Sequence, residues 1–553
     1  MLAIISEGGA GGNGVVPVWP QVLRWLGPTP FTSDALSWGL GAWVLLLGGL
    51  CLLKMALAGH DGTRAAIATF LLGATYALVH LTDLLVFAGV VLFVALMIWV
   101  YFLLSGEHDA LTARSSFSLG LGAALLFAAT LLVGRTTGGS YSLDGLSLSA
   151  LTVWPLSLLA LYAVAWLGMS PLIGWSAHLP TGALSTMLLS VVLPAPVVAL
   201  ILRLQALITD QAVGGTVPEQ WPGFTNALAW AGAATALVAS AGTVVWVGRS
   251  RWPALQAAFW LGMGLWALGL DTPSGRVASL LIIMSYGASR TALELLPSST
   301  GTLWVRSARG LAHASLSALP PLSGFLGVWV LGGALASSGR PSLVMLLAAC
   351  VVLAACGTAL DAATHPTPSA TALPAARYLE WVGGGLVVLL VVAGPLAPLW
   401  FPLVDRMASI AGGTSSLTLG WSGLSAGGYS LPLGFLLMGI LVLAALGRLI
   451  VSAGRSGVRP VGALLPTALD RLSRTGSGER MGGGSASPDL IGDSPAPVWW
   501  VSLSWMDRGV WGFGAVLGRL GVRFGNLLSR LEGRFYLTLA LVLTLVALLV
   551  VTR

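Results

Sequence analysis

Moving a proton or an ion through hydrocarbon needs ionisable side chains, and in this chain they are few enough to name. Lys54 is the only lysine in 553 residues, and the composition is 56% hydrophobic and 8% charged. Within or beside the apolar stretches stand His80 and Asp83, His178, Arg203, Arg290 and Glu294, His313, Asp361 and His365. Such groups are costly in a bilayer and mark either an ion route or a pair that neutralises itself. Arg290 and Glu294 are spaced i and i+4, on one face of a helix and within reach of each other. They read as a residual charge site or as a self-neutralising pair, and the pair is favoured because it makes burial tolerable. His178 follows a break at Pro171 and could line a water-filled cavity; His313 suits a helix-cap or interface role. His80 and Asp83 fall at the end of an apolar run, where a solvated turn is favoured over a relay. There is no CxxC metal spacing, no glycine-rich phosphate loop and no nucleophile triad, so no catalytic residue, metal or cofactor is expected in this chain.

The elements that must hold these residues are membrane spans. Mean hydropathy is +0.89. Apolar stretches recur from residue 36 to the C-terminus and give roughly 14 spans of ~20 residues each. The ranges are 36–57, 65–82, 84–104, 116–134, 151–170, 183–204, 226–247, 254–270, 277–296, 314–338, 342–361, 379–400, 431–451 and 535–552. The 72 glycines, with Pro155, Pro194, Pro196, Pro320 and Pro321, suit closely packed and locally broken helices. Alternating β-barrel patterning is absent, so the expected class is an all-α polytopic membrane protein. Cys51, Cys350 and Cys356 lie in apolar spans and read as small hydrophobic residues.

The net charge of +7 does not point to nucleic acid, because the arginines fall in loops. Odd-numbered loops hold Lys54/Arg64, Arg114, Arg249/Arg251, Arg306/Arg309, Arg377 and a run from Arg455 to Arg480, while even loops carry Asp144, Asp210, Glu219, Asp271 and Asp405. The positive-inside rule then places both chain ends on the outer side of a bacterial cytoplasmic or equivalent energy-transducing membrane. Residues 1–30 are irregular and do not read as a cleavable signal peptide. Residues 31–453 form the helical membrane domain and 454–498 a Gly/Ser/Arg-rich linker. Residues 499–533 interleave aromatic and aliphatic residues with Asp507, Arg508, Arg519, Arg523 and Arg530 at helix-like spacing, as an amphipathic helix along a membrane surface or partner would. A final anchor, 534–553, follows.

Leu319-Pro320-Pro321-Leu322-Ser323-Gly324-Phe325 resembles the PPLSGF signature of the antiporter-like subunits of respiratory complex I, a family shared with Mrp-type sodium/proton antiporters and membrane-bound hydrogenases. Other pieces follow in family order. Asp34-Ala35-Leu36-Ser37 resembles the Asp-x-Leu-Ser opening of an early helix, Pro171-Leu172 with Trp175 the PLHTWLP element, Leu261-Gly262 the SQLGYM element, and Ser285 to Arg290 the THAFFK stretch. An amphipathic helix before a last span is similar to the lateral helix of the most distal subunits. The resemblance covers residues 31–552 and implies other membrane subunits as partners, contacted partly through 499–552, besides lipid.

The departures bear on function. Where the family carries a proton-route glutamate this chain has Val91, and its partner lysine falls on Trp166. The lysine of THAFFK is Arg290 and its histidine Tyr286, and the charged residues after PPLSGF give way to Leu326-Gly327-Val328-Trp329. The family's first helical hairpin has no counterpart in residues 1–30. An arginine holds its proton too tightly to relay it. The broken-helix motif of Pro320, Pro321, Ser323 and Gly324 would then preserve architecture. The expected role is a largely structural membrane-arm subunit of a complex I-type assembly with a degenerate proton path. The alternatives are a working proton or cation carrier using Arg290, Glu294, His178 and water, and an inorganic-carbon or cation uptake subunit working with a different partner.

Overall fold

A computed structural model describes residues 31–58, 62–105, 110–143, 146–169, 182–212, 217–245, 252–296, 303–320, 322–338, 341–364, 376–393, 397–411, 418–420, 423–426 and 429–432. The first four helices are α1 (Ala35–Leu57), α2 (Gly62–His80), α3 (Leu84–Ser105) and α4 (Ala110–Thr136). Short polar caps start α1 and α3: the Asp34 carboxylate accepts from Ser37 N at 2.6 Å, and Asp83 accepts from Leu85 N and Val86 N at 2.8 and 2.9 Å. These helices bury one side in protein and present Leu45, Leu46, Phe93 and Trp99 outward, as lipid-facing helices do.

The middle of the molecule is α5 (Val153–Trp166), α6 (Ala183–Met187), a π-helical turn (Leu188–Val192), α7 (Pro194–Ala212), α8 (Trp221–Val245), α9 (Trp252–Gly269) and α10 (Pro273–Leu295). The run Ala183–Gln205 is buried throughout, and α9 nearly so. Pro194 lacks the N–H that would continue the ladder, and the turn before it widens, with Leu193 N donating to Leu188 O at 3.0 Å. α8 and α9 pack backbone to backbone, because a Cβ on Gly232 would lie 2.4 Å from Trp266 N. α10, capped by Thr272 with Pro273 in its first turn, packs against α1, α6, the π turn, α9 and the helices that follow.

Those are α11 (Leu303–Leu316), α12 (Ser323–Ser337), α13 (Pro341–Thr364), α14 (Ala376–Ala393) and α15 (Ala397–Ala408). A three-stranded antiparallel meander closes the described chain, with β1 (Thr418–Gly420), β2 (Gly423–Ala426) and β3 (Tyr429–Pro432). The class is all-α and polytopic, with these strands as its small exception. Among the described residues, six helices are long and apolar enough to cross a membrane by length and composition, and four shorter apolar ones accompany them.

The first nine expected spans have helical counterparts, although the 183–204 span is interrupted by the π turn. The spans expected at 314–338 and 379–400 each resolve into two helices, α11/α12 and α14/α15. An apolar window cannot see a break made by proline and glycine within it. The 431–451 span starts on β3, and its remainder, with 454–498 and 499–553, lies outside the described residues.

Candidate functional site

One charge cluster is assembled from three helices. Lys54, near the end of α1, meets Glu294, the penultimate residue of α10, with Nζ 2.5 Å from Oε1; the ammonium also donates to the Glu294 backbone carbonyl. Thr186 of α6 donates its hydroxyl to the other carboxylate oxygen, Oε2, at 3.2 Å. The side chains are 28% and 13% exposed for Lys54 and Glu294, so the pair sits in a largely protein-lined crevice with one side open. Chemically it is a proton-exchangeable ammonium and a carboxylate in direct contact, oriented by a hydroxyl.

The spacing of Arg290 and Glu294 suggests that they pair; the structure gives Glu294's ion pair to Lys54 instead. The i,i+4 rule places two side chains on one face, but the helices packed against that face decide what each meets. Arg290 is half-buried one turn further in. Reading Lys54 as a loop residue hid the site. A sole lysine at the end of a uniformly apolar stretch is the signal that could have found it.

A second cluster holds the other end of α1. Arg203 of α7, 7% exposed, donates from Nη2 to Thr32 Oγ1 at 3.0 Å, to Ser37 Oγ at 2.7 Å and to the Val79 carbonyl at 2.7 Å, and from Nη1 to the Leu81 carbonyl. Asp34 lies 3.6 Å from Nη2. One guanidinium thus satisfies the frayed end of α2 and the start of α1, which a point-charge ammonium could not do. His80 Nδ1 contacts Tyr76 O at 2.9 Å in that same turn. Asp34 and Lys54 are 20 residues apart, so the two clusters stand about 30 Å apart along α1.

The chain breaks between α11 and α12. Ala318 takes a left-handed φ of 53°, and Pro320 follows. The carbonyls exposed by the break find donors: Trp260 Nε1 reaches Leu316 O at 3.2 Å, Ala318 N reaches Ser315 O at 3.0 Å and Leu319 N reaches Ala314 O at 3.1 Å. Ser289 of α10 donates its hydroxyl to Ser315 Oγ at 2.8 Å, and Ser323 Oγ lies 3.4 Å beyond. Gly324 lets α12 start against this turn, because a Cβ there would fall 2.1 Å from Ser315 O. His313, half-buried in the last turn of α11, stands against Trp252 with ring centres 6.2 Å apart. Pro321 and His178 lie outside the described residues. The structure therefore brings Glu294 together with Lys54 and Thr186, and Ser323 and Gly324 together with Ser289 and Ser315. His313 belongs to neither group. Val91, Trp166 and Tyr286 are completely buried.

No protein-family model and no curated protein matches the chain. Among solved structures it is similar to a chain of the Mrp complex from Dietzia sp. DQ12-45-1b, at 19% identity and a TM-score of 0.63, over 88% of this chain and 56% of that one. It is also similar to a chain of respiratory complex I from Thermus thermophilus, at 20% identity and a TM-score of 0.56 over 69% of this chain and 86% of the other. A chain of the membrane-bound sulfane sulfur reductase, an archaeal respiratory membrane complex, aligns at 15% identity and a TM-score of 0.57 over 67% and 82%. The match spans little more than half of the Mrp chain. The fold is that of antiporter-like membrane subunits.

Proposed function

We propose that this chain is a membrane-arm subunit of a complex I-type assembly, largely structural, whose own proton path has degenerated. The observation that carries the reading is the chemistry at three positions. Where the resembled family holds glutamate, lysine and histidine, this chain has Val91, Trp166 and Tyr286, each fully enclosed. Neither valine nor tryptophan holds a proton. The chain then supports translocation by neighbouring subunits in an energy-transducing membrane, with residues 499–552 as the contact to them and both termini on the outer side. The test is a mild-detergent purification followed by mass spectrometry. Co-purifying membrane subunits of the same fold, with iron–sulfur proteins, are expected. A single unrelated partner would overturn the reading in favour of an uptake system.

A second reading, a proton or cation carrier, draws on the Lys54–Glu294 pair, which keeps the two proton-exchangeable groups in contact. It requires Glu294→Gln to abolish ion flux in proteoliposomes while assembly is kept. Unchanged flux would remove it.

A further inference from the structure

Three stripes of polar atoms run side by side behind the Lys54–Glu294 pair. On α10, Tyr286, Arg290 and Glu294 repeat every four residues and so share a face, with Thr291 beside them. On α6 and the π turn, Thr186 and Ser190 repeat at the same interval. Thr186 meets Glu294, and the Ser190 carbonyl meets Gly287, where a Cβ would lie 3.2 Å from it. That pairing fixes the α6–π run antiparallel to α10. On α1, Lys54 meets Glu294, while Trp43 and Leu47 meet Gly287, at 2.4 and 3.0 Å from such a Cβ. α1 therefore runs parallel to α10, and the three helices enclose one seam about 12 Å deep, from Glu294 to Tyr286.

Inside the seam the polar atoms are under-partnered. The hydroxyls of Ser190, Tyr286 and Thr291 and the indole N–H of Trp43 are buried without a well-aligned hydrogen bond among the described residues. Tyr286, Thr291 and Ser190 are fully enclosed, and Trp43 is 6% exposed. The Tyr286 and Ser190 hydroxyls face each other, as do Thr291 and the Cys51 thiol, and each pair leaves donor or acceptor capacity of its hydroxyls unused. A buried hydroxyl costs free energy unless something pairs with it, and the general solution is internal water making about three hydrogen bonds each. The π turn adds to this, because such turns loosen the regular backbone ladder and recur at functional sites.

We propose that the α1–π–α10 seam is a water-binding chamber, holding about one or two waters at ~3 hydrogen bonds each among Trp43, Ser190, Tyr286 and Thr291. The Lys54–Glu294–Thr186 cluster is its latch toward the membrane edge. The inference stands apart from both readings of the ion path: a structural subunit can hold such water, and a carrier can lack it.

The test is synchrotron radiolytic footprinting of the full-length chain in lipid nanodiscs, in heavy-oxygen water. Radicals formed from bound water label the side chains beside it. Tyr286 is expected to take up heavy oxygen, while Phe259, equally enclosed on α9, does not. The double variant Ser190→Ala/Thr291→Val should lose the Tyr286 label without loss of the assembled protein. Opening the latch with Lys54→Met, or more gently with Thr186→Val, should increase label at Tyr286 and Cys51. An unlabelled Tyr286 beside a labelled, exposed Trp381 would overturn the chamber. So would a Tyr286 label indifferent to the double variant. A label indifferent to both latch variants would overturn the latch.

Discussion

The Lys54–Glu294 contact makes a quantitative prediction that separates a coupled ion pair from two polar side chains that merely share a crevice. Removing one partner of a fully buried pair costs about 3–5 kcal/mol, because the other charge is left desolvated. An exposed pair contributes only about 0–1 kcal/mol. With exposures of 28% and 13%, this pair lies between those limits. Lys54→Met strands the carboxylate with Thr186 as its remaining side-chain donor and should cost about 2–3 kcal/mol. Glu294→Leu strands the ammonium, which keeps the Glu294 backbone carbonyl and its open side, and should cost about 1–2 kcal/mol. The double variant removes both charges together and should cost no more than about 1 kcal/mol relative to the parent, which corresponds to a coupling of about 2–5 kcal/mol. The assay is equilibrium unfolding in mixed micelles followed by tryptophan fluorescence, run as a double-mutant cycle. Single variants that each cost less than about 0.5 kcal/mol, or a double variant that costs their sum, would refute the pairing.

Other outcomes follow from the same geometry. Arg203→Met removes the guanidinium donor of the Val79 and Leu81 carbonyls and leaves Val79 only the 3.4 Å contact from the Ser37 hydroxyl, at about 1–3 kcal/mol per lost bond; loss of folded protein in size-exclusion chromatography is expected, and Arg203→Lys should rescue it only in part. Gly324→Ala forces α12 off the Ser315 turn and should cost at least about 1–3 kcal/mol, read as a lower melting temperature, whereas Gly310→Ala, in open space, should cost nothing measurable. Asp271→Asn weakens the 3.2 Å pair with Arg276, while the Trp221 indole, now at 2.6 Å, keeps an acceptor. A loss of about 1–2 kcal/mol is expected, and a neutral result in the same unfolding assay would contradict the reading that Asp271 compensates a buried guanidinium.

Much of the architecture could be read from the chain because a membrane helix declares itself by length and composition. Ala35–Leu57 and Leu84–Ser105 were legible for that reason. α9 was legible as a helix, but its complete burial was not, since lipid and protein interiors select the same side chains. The partner of Glu294 was illegible for a different reason. Lys54 is 240 residues away, and no local spacing carries the packing of α1 on α10. Local spacing offered Arg290, and tertiary packing overrode it. Arg203 was marked as buried and ionisable, but its role depends on Val79 and Leu81 carbonyls, which every residue has and no sequence pattern advertises.

The break at Ala318–Pro320 bears on how such a fold outlives its relay. A broken helix in a membrane survives only where its freed backbone groups are satisfied by protein or water. Here the donors are Trp260 and the turn's own amides, and the neighbouring hydroxyls of Ser289, Ser315 and Ser323 pair with each other. None of these groups is charged. The break is therefore satisfied without the lysines and acids that accompany it in the resembled family, and on the proposed reading their replacement by Leu326, Val328 and Trp329 would remove proton chemistry without removing a structural support. Two of the buried charge clusters among the described residues are each shared by several helices: Arg203 serves α1, α2 and α7, and the Lys54–Glu294 pair ties α1, α6 and α10. On that argument a lysine restored at 290 would gain a proton-exchangeable group but no relay, because Val91 and Trp166 remain sealed in the core. Arg290→Lys should leave proton flux in proteoliposomes at the parent level, and a rise in flux would show that the path is intact and that the arginine alone blocks it.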